Sequence, residues 1–262
     1  MSESATIVYD VTDQIATITL NRPDRLNALL PDMGPHFAEL LRSADADPDV
    51  RVIIVTGAGR GFCSGADLGV LMQGADALQG YLSGQDASAL PTIAFSLGTP
   101  VMTAINGPSA GIGFVMALCA DLRIAGPSAT FSSSFARLGL IAEYGSAWLL
   151  PRLIGLPAAT ELLLSGRTVD ATEALSLGLV HQVAEDPLST AKRIAREWID
   201  SCAPTSWAVM KRQLLQAMSQ DLDAAVQASL TEMAASFQRP DLAEALTARA
   251  QQRPAQFSGW PR

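Results

Sequence analysis

The run Arg51-Val52-Ile53-Ile54-Val55-Thr56 passes directly into Gly57-Ala58-Gly59-Arg60-Gly61-Phe62-Cys63-Ser64-Gly65-Ala66-Asp67-Leu68. Its β-branched residues show no apolar–polar alternation, so the segment reads as a strand covered on both faces, as in a parallel sheet packed between helices. The glycines that follow allow turns in which backbone N–H groups face a ligand instead of their own ladder. Val101-Met102-Thr103-Ala104-Ile105 repeats the device, running into Asn106-Gly107-Pro108-Ser109-Ala110-Gly111-Ile112-Gly113-Phe114. Two such turns, each after a buried strand and before a helix-like stretch, supply paired donors suited to an oxygen that gains negative charge.

Outward from these junctions the chain alternates. Gln14–Leu20 reads as a strand, and a helix opens at Pro31-Asp32 with Phe37, Leu40, Leu41 and Ala44 on one face, ending near Asp47-Pro48. Gly113–Ala120 reads as a small-residue helix and Leu122–Ala125 as a further strand. Alternation of this kind predicts an α/β fold with a βα-repeating core and a parallel sheet. From Glu143 onward the pattern becomes helical, with starts at Pro157, Asp170, Pro187, Pro204 and Asp241, and Ala203–Gln251 is expected to form a C-terminal helical layer. Over Gly69–Ala89, Gly74, Gly80, Ser83 and Gly84 interrupt any amphipathic period; a mobile loop with short helical pieces, able to cover a ligand, is expected there.

The 262 residues can bury a sizeable core. Eighteen Lys+Arg against 26 Asp+Glu give a net charge of −8, which opposes a broad contact with nucleic-acid phosphates. Cys63, Cys119 and Cys202 are widely spaced, form no metal-ligand pattern and are odd in number, as expected in a reducing compartment. The first residues carry no basic and apolar leader, and no apolar stretch reaches the length of a membrane span, so a cytoplasmic chain without membrane contact is expected.

Leu20-Asn21-Arg22-Pro23 with Asn27-Ala28-Leu29, Phe62–Leu68, Asn106-Gly107 and Ala110-Gly111-Ile112-Gly113 occur in a familiar order. Cys119–Ala125, Leu138-Gly139-Leu140, Leu150-Pro151-Arg152, Ser165-Gly166-Arg167 and Gly178-Leu179-Val180 continue it. The tail reads Arg253-Pro254-Ala255-Gln256-Phe257, with Ala255 in place of a usual second proline. In these motifs the chain resembles the crotonase superfamily, the enoyl-CoA hydratase/isomerase family, nearly end to end. The resemblance implies a crotonase-like βα-repeat spiral core (residues 1–202) and a C-terminal helical trimerisation layer (203–262). It also implies an acyl-CoA substrate, no cofactor beyond the coenzyme A that the substrate carries, no metal, and a homotrimer or dimer of trimers.

Carried over residue by residue, the resemblance places the two oxyanion donors at the N–H groups of Ala66 and Ile112, where a thioester carbonyl becomes an enolate. Ile112 departs from the glycine frequent at its position, and its branched side chain must find a place to pack. Arg25, Ala28, Ser64, Asp67 and Leu68 fall around the CoA nucleotide and pantetheine, with Phe257 approaching the adenosine end from a neighbouring subunit. Asp67 also reads as a helix cap and Arg25 also as a solvated surface cation.

Hydratases of the family use two glutamates, and the matching positions here hold Val115 and Phe135. Neither transfers a proton; with Ser134 and Leu138 they are expected to line the acyl pocket. Leu138–Gly145 is similar to a segment of the ring-epoxide isomerase branch, with Glu143 at its acid position, so Glu143 is the expected acid/base. A single carboxylate suffices for a 1,3-proton shift, which favours isomerisation over hydration. Glu143 as an ordinary acid preceding a helix is the competing reading. Acyl-CoA hydrolysis or dehalogenation on Glu143, and non-catalytic CoA binding, are the alternative functions. His36, His181, Cys63 and Asp121 read as structural, and Ser132-Ser133-Ser134 as strand-end hydroxyls able to meet a ligand or water.

Overall fold

The computed structural model describes residues 5–74, 81 and 91–258. Its main sheet has six strands in the order β1 (Ile7–Thr12), β2 (Ile15–Leu20), β3 (Val52–Gly57), β4 (Val101–Ile105), β6 (Leu122–Ala125) and β9 (Gln182–Val183). β1 and β2 pair antiparallel and every other neighbour is parallel. A smaller sheet joins β5 (Ser109–Ala110), β7 (Thr130–Ser132) and β8 (Val169–Asp170).

The apolar runs are buried on both faces because strand periodicity sends alternate side chains to two different cores. Ile53, Val55, Val101 and Ile105 join the larger core, with Phe37 and Leu41 of α1 (Met33–Ala46) and Phe114 and Leu118 of α3 (Ile112–Leu118). Val52, Ile54, Met102, Ala104 and Ile124 face the other way, onto Ala191 and Ala195 of α7 (Pro187–Ser201). The sheet is thus sandwiched, as the unalternated strands require.

The edge strand β1 had no visible signal: most of its residues are exposed or half-exposed, and the turn joining it to β2 uses Asp13 and Gln14 at φ 52° and 65° with no glycine. The expected loop at Gly69–Ala89 lies mostly outside the described residues; Leu68–Leu71 form a short helix, α2.

After β7 the chain is mostly helical, interrupted by the two-residue strands β8 and β9: α4 (Ser146–Ile154), α5 (Leu156–Ser165), α6 (Ala171–Ser176), then α7, α8 (Pro204–Ala217), α9 (Leu222–Ser236) and α10 (Pro240–Ala250). Asp170 and Asp221 cap their helices by accepting the Glu173 and Ala224 amides. Lys211 of α8 pairs with Asp121 at 2.6 Å, and that carboxylate also accepts the Val101 N–H, so one acid ties the C-terminal layer to the central strand. The buried Asp241 of α10 accepts the Thr205 hydroxyl of α8. Trp207 packs beside Trp198 against the chain's own sheet.

Candidate active site

The two glycine-rich turns leave the carboxyl ends of β3 and β4, where ligands bind in open parallel sheets. Cys63 bridges Ser109 in parallel, and the Ala110 N–H donates to the Cys63 carbonyl at 2.9 Å. Carrying that register forward brings Gly65 against Gly111 and Ala66 beside Ile112. A Cβ on Gly113 would lie 2.3 Å from the Cys63 carbonyl oxygen, so the close approach of α3 to this segment requires glycine. Gly65 and Gly111 hold φ of 104° and 53°.

Leu29 bridges Ala66, its N–H donating to Gly65 and its carbonyl accepting from Asp67. In a parallel bridge the residue opposite turns its own groups away, so the Ala66 N–H faces outward; it has no hydrogen-bond partner among the described residues. Ile112 is the first residue of α3, where helix geometry leaves the N–H free, and it too has none. The Ile112 side chain finds its place in the larger core.

Both residues line one cavity of about 1130 Å³, ample for an extended, largely apolar ligand. Arg25, Ala28, Ser64, Asp67 and Leu68 are also on its wall, as are Ser134, Phe135, Leu138 and Glu143. Val115 is not: α3 is buried along its whole length, and this side chain is enclosed in the core instead of reaching the acyl pocket as expected. Phe257 is also absent from the cavity of its own chain. Arg51, at the opposite end of β3, holds its carbonyl at 3.2 Å, roughly the length of the strand from the turns.

Asp67 is committed. It accepts the Gly69 amide at 2.8 Å as the cap of α2 and pairs with Arg22 at 2.9 Å. Burial opposes its ionisation, but the Arg22 hydrogen bond, the Gly69 amide and the charges of Arg22 and Arg25 together hold the carboxyl below its usual range. Arg22 also donates to the Ala28 carbonyl, and the fully buried Asn27, at φ 57°, bonds Arg22, Ala58 and Gly61 through its side chain. These three residues brace the first donor turn. The exposed guanidinium groups of Arg25 and Arg60 at the cavity wall have no ion pair or side-chain hydrogen bond among the described residues.

Residues 10–260 match the family described as Enoyl-CoA hydratase/isomerase. The chain belongs to that family. EchA14 of Mycobacterium tuberculosis, named a probable enoyl-CoA hydratase, is 35% identical over 264 residues, covering 95% of this chain and 98% of its own. The 1,2-epoxyphenylacetyl-CoA isomerase of Escherichia coli is 34% identical over 259 residues, covering 97% and 98%. The crystal structure of enoyl-CoA hydratase from Bacillus anthracis superposes with a TM-score of 0.90 at 29% identity, over 98% of this chain and 100% of that one.

Among the described residues, the acids on the cavity wall are Asp24, Asp67 and Glu143. Asp24 is exposed beside Arg25, and Asp67 is paired. Glu143 is half-buried just ahead of α4, its carbonyl accepting the Ser146 amide at 2.9 Å while its carboxylate has no hydrogen-bond or ion-pair partner among the described residues. Burial pushes the Glu143 carboxyl up. The neighbouring Tyr144, at φ 50°, lines the same wall; burial, then the Glu143 charge and Tyr81, push its phenol up to about 12, so it stays neutral.

Two cavity residues had no signal in the sequence. Tyr81 donates to the Leu29 carbonyl at 2.8 Å and accepts the Asp67 N–H, and Arg60 sits between glycines with nothing to mark it as a cavity cation. Cys63, fully buried, has its thiol raised to about 12 by burial despite the Gly65 amide, which leaves it unreactive. His181 accepts the Arg123 N–H through Nδ1 and holds β6.

Proposed function

We propose that the protein moves a double bond along the acyl chain of a CoA thioester, with Glu143 removing a proton from one carbon and returning it to another. The observation that carries this reading is that Glu143 is, among the described residues, the one half-buried, unpartnered carboxylate on the cavity wall, with Val115 and Phe135 where the resemblance expects the hydratase glutamates. The thioester oxygen, gaining charge as the enolate forms, lies between the Ala66 and Ile112 N–H groups, whose orientation is fixed by the fold before the substrate arrives. A carboxyl raised by burial suits this shuttle, because it holds a proton long enough to return it. A nucleophilic carboxylate for hydrolysis or dehalogenation is better served by a lowered value.

The test is a screen of 2-enoyl- and 3-enoyl-CoA esters in deuterated water, read by mass spectrometry. Interconversion of the two with deuterium exchange and no added water is the expected result. Efficient addition of water to the 2-enoyl ester, or a covalent adduct on Glu143, overturns the isomerase reading.

In this proposal Arg25 and Arg60 take the phosphates of CoA, with Ser64, Ala28 and Leu68 along its pantetheine. Each cation is exposed, so Arg25→Ala and Arg60→Ala are expected to raise KM by about tenfold with kcat nearly unchanged, a size consistent with one charged hydrogen bond. Dephosphorylating CoA should abolish the effect of whichever arginine meets the 3′-phosphate. The C-terminal helices leave Met210, Leu214, Leu222, Leu230 and Phe237 exposed. We assign this face to a homotrimer, alone or doubled, in which Phe257 of one subunit reaches the CoA site of the next. Sedimentation giving a monomer at micromolar concentration removes both assignments.

A further inference from the structure

Leu29 meets the first donor turn with both of its backbone groups. Its N–H donates to the Gly65 carbonyl at 2.8 Å, and its carbonyl accepts the Asp67 N–H at 2.9 Å. In a trans peptide the carbonyl and the N–H point opposite ways, so holding the Gly65 oxygen aims the Ala66 N–H away from the bridge. Gly65, at φ 104°, lacks the Cβ that would restrict rotation of this peptide. Whatever fixes Leu29 therefore fixes the direction of the donor.

The Tyr81 hydroxyl closes this bridge. It donates to the Leu29 carbonyl at 2.8 Å and accepts the Asp67 N–H at 3.2 Å, so it ties Leu29 to the residue that follows Ala66. A phenol carries one hydrogen, and this one is spent on Leu29. Tyr81 lines the cavity together with Ala66 and Ile112, yet its hydroxyl has no proton left to give a ligand. Burial pushes the phenol up, so the hydrogen stays in place at neutral pH.

We infer that Tyr81 is a positioning residue for oxyanion stabilisation: by tying Leu29 to Asp67, its hydroxyl keeps the Ala66 N–H aimed at the oxygen that gains charge. It acts through the Gly65–Ala66 peptide and not on the substrate. The inference rests on the oxyanion reading above and adds to it a side chain, outside both glycine turns, on which the direction of one donor depends.

The experiment uses acetoacetyl-CoA, whose enolate absorbs in the near ultraviolet and carries the kind of charge the two donors would meet. The ligand is titrated with pH at saturating protein, and the midpoint of enolate formation is read. On the wild-type protein the enolate is expected to form at a lower pH than in free ligand, because hydrogen bonds to the charged form favour it. Tyr81→Phe keeps the ring of a half-buried side chain and loses only the hydroxyl, so the variant is expected to fold. It should raise the bound midpoint by about 0.5–1 pH unit, a 3- to 10-fold loss of preference for the enolate and the size of one neutral hydrogen bond. Affinity for CoA itself, measured by calorimetry, should stay within about twofold of the wild type. The titration needs no turnover, so the result does not depend on Glu143 being the base. A rise of less than about 0.5 pH unit overturns the inference and leaves the oxyanion reading standing. A rise accompanied by a more than about twofold loss of CoA affinity does the same, since it marks a general loosening of the site. A wild-type midpoint no lower than that of free ligand overturns both.

Discussion

Glu143→Gln is expected to lower turnover of the CoA ester by about 10²–10⁴ while leaving its binding intact, because the substitution keeps the shape and removes the base. Steady-state kinetics with a parallel binding titration checks it. Equal turnover by the variant would assign the proton transfer to another group. Burial pushes the Glu143 carboxyl up, so the wild-type kcat/KM should rise with pH through a midpoint above the ordinary glutamate range. The same shift has a consequence for stability, and its sign is opposite to that of a salt-bridged acid. The folded state holds this proton more tightly than the unfolded chain does, so Glu143 opposes folding increasingly as pH rises from the unfolded value toward the folded one. Glu143→Gln should therefore melt higher than the wild type at neutral pH, and the difference should vanish below about pH 4, the region of an unperturbed glutamate. A variant that is both inactive and more stable is the combined signature of a base held in place against its own solvation.

Ile112→Pro is expected to cost about 10²–10³ in turnover by removing one of the two outward N–H groups. Proline is tolerated at the first position of a helix, where the N–H has no intrahelical partner, and Ile112 begins α3. The change therefore removes the donor without breaking the helix. Because Ile112 also packs in the core, Ile112→Val serves as the control: it loses a methylene, keeps the N–H, and should retain turnover within a few fold. If Ile112→Pro folds, as judged by circular dichroism, and turns over at the wild-type rate, the thioester oxygen is not held there.

The two buried strands, the glycine turns after them and the helical C-terminal half were legible because each has a local cause: β-branched runs, positive φ, and proline or aspartate at helix starts. The edge strand β1 and the two-residue strands β5 and β8 were not legible. They are fixed by pairing with distant partners and carry no periodicity of their own.

The candidate site divides in the same way. That Ala66 and Ile112 belong to backbone turns, and that Val115 and Phe135 cannot transfer protons, follows from the residues themselves. The enclosure of Val115 within the core, the pairing of Asp67 with Arg22, and the presence of Tyr81 and Arg60 on the cavity wall were decided only when segments far apart in the chain came into contact. Local sequence restricts which conformations a residue adopts and whether it can ionise or donate at all. Which neighbour takes up a hydrogen bond, and which side chain reaches a cavity, is set by packing between elements, and that depends on the whole chain.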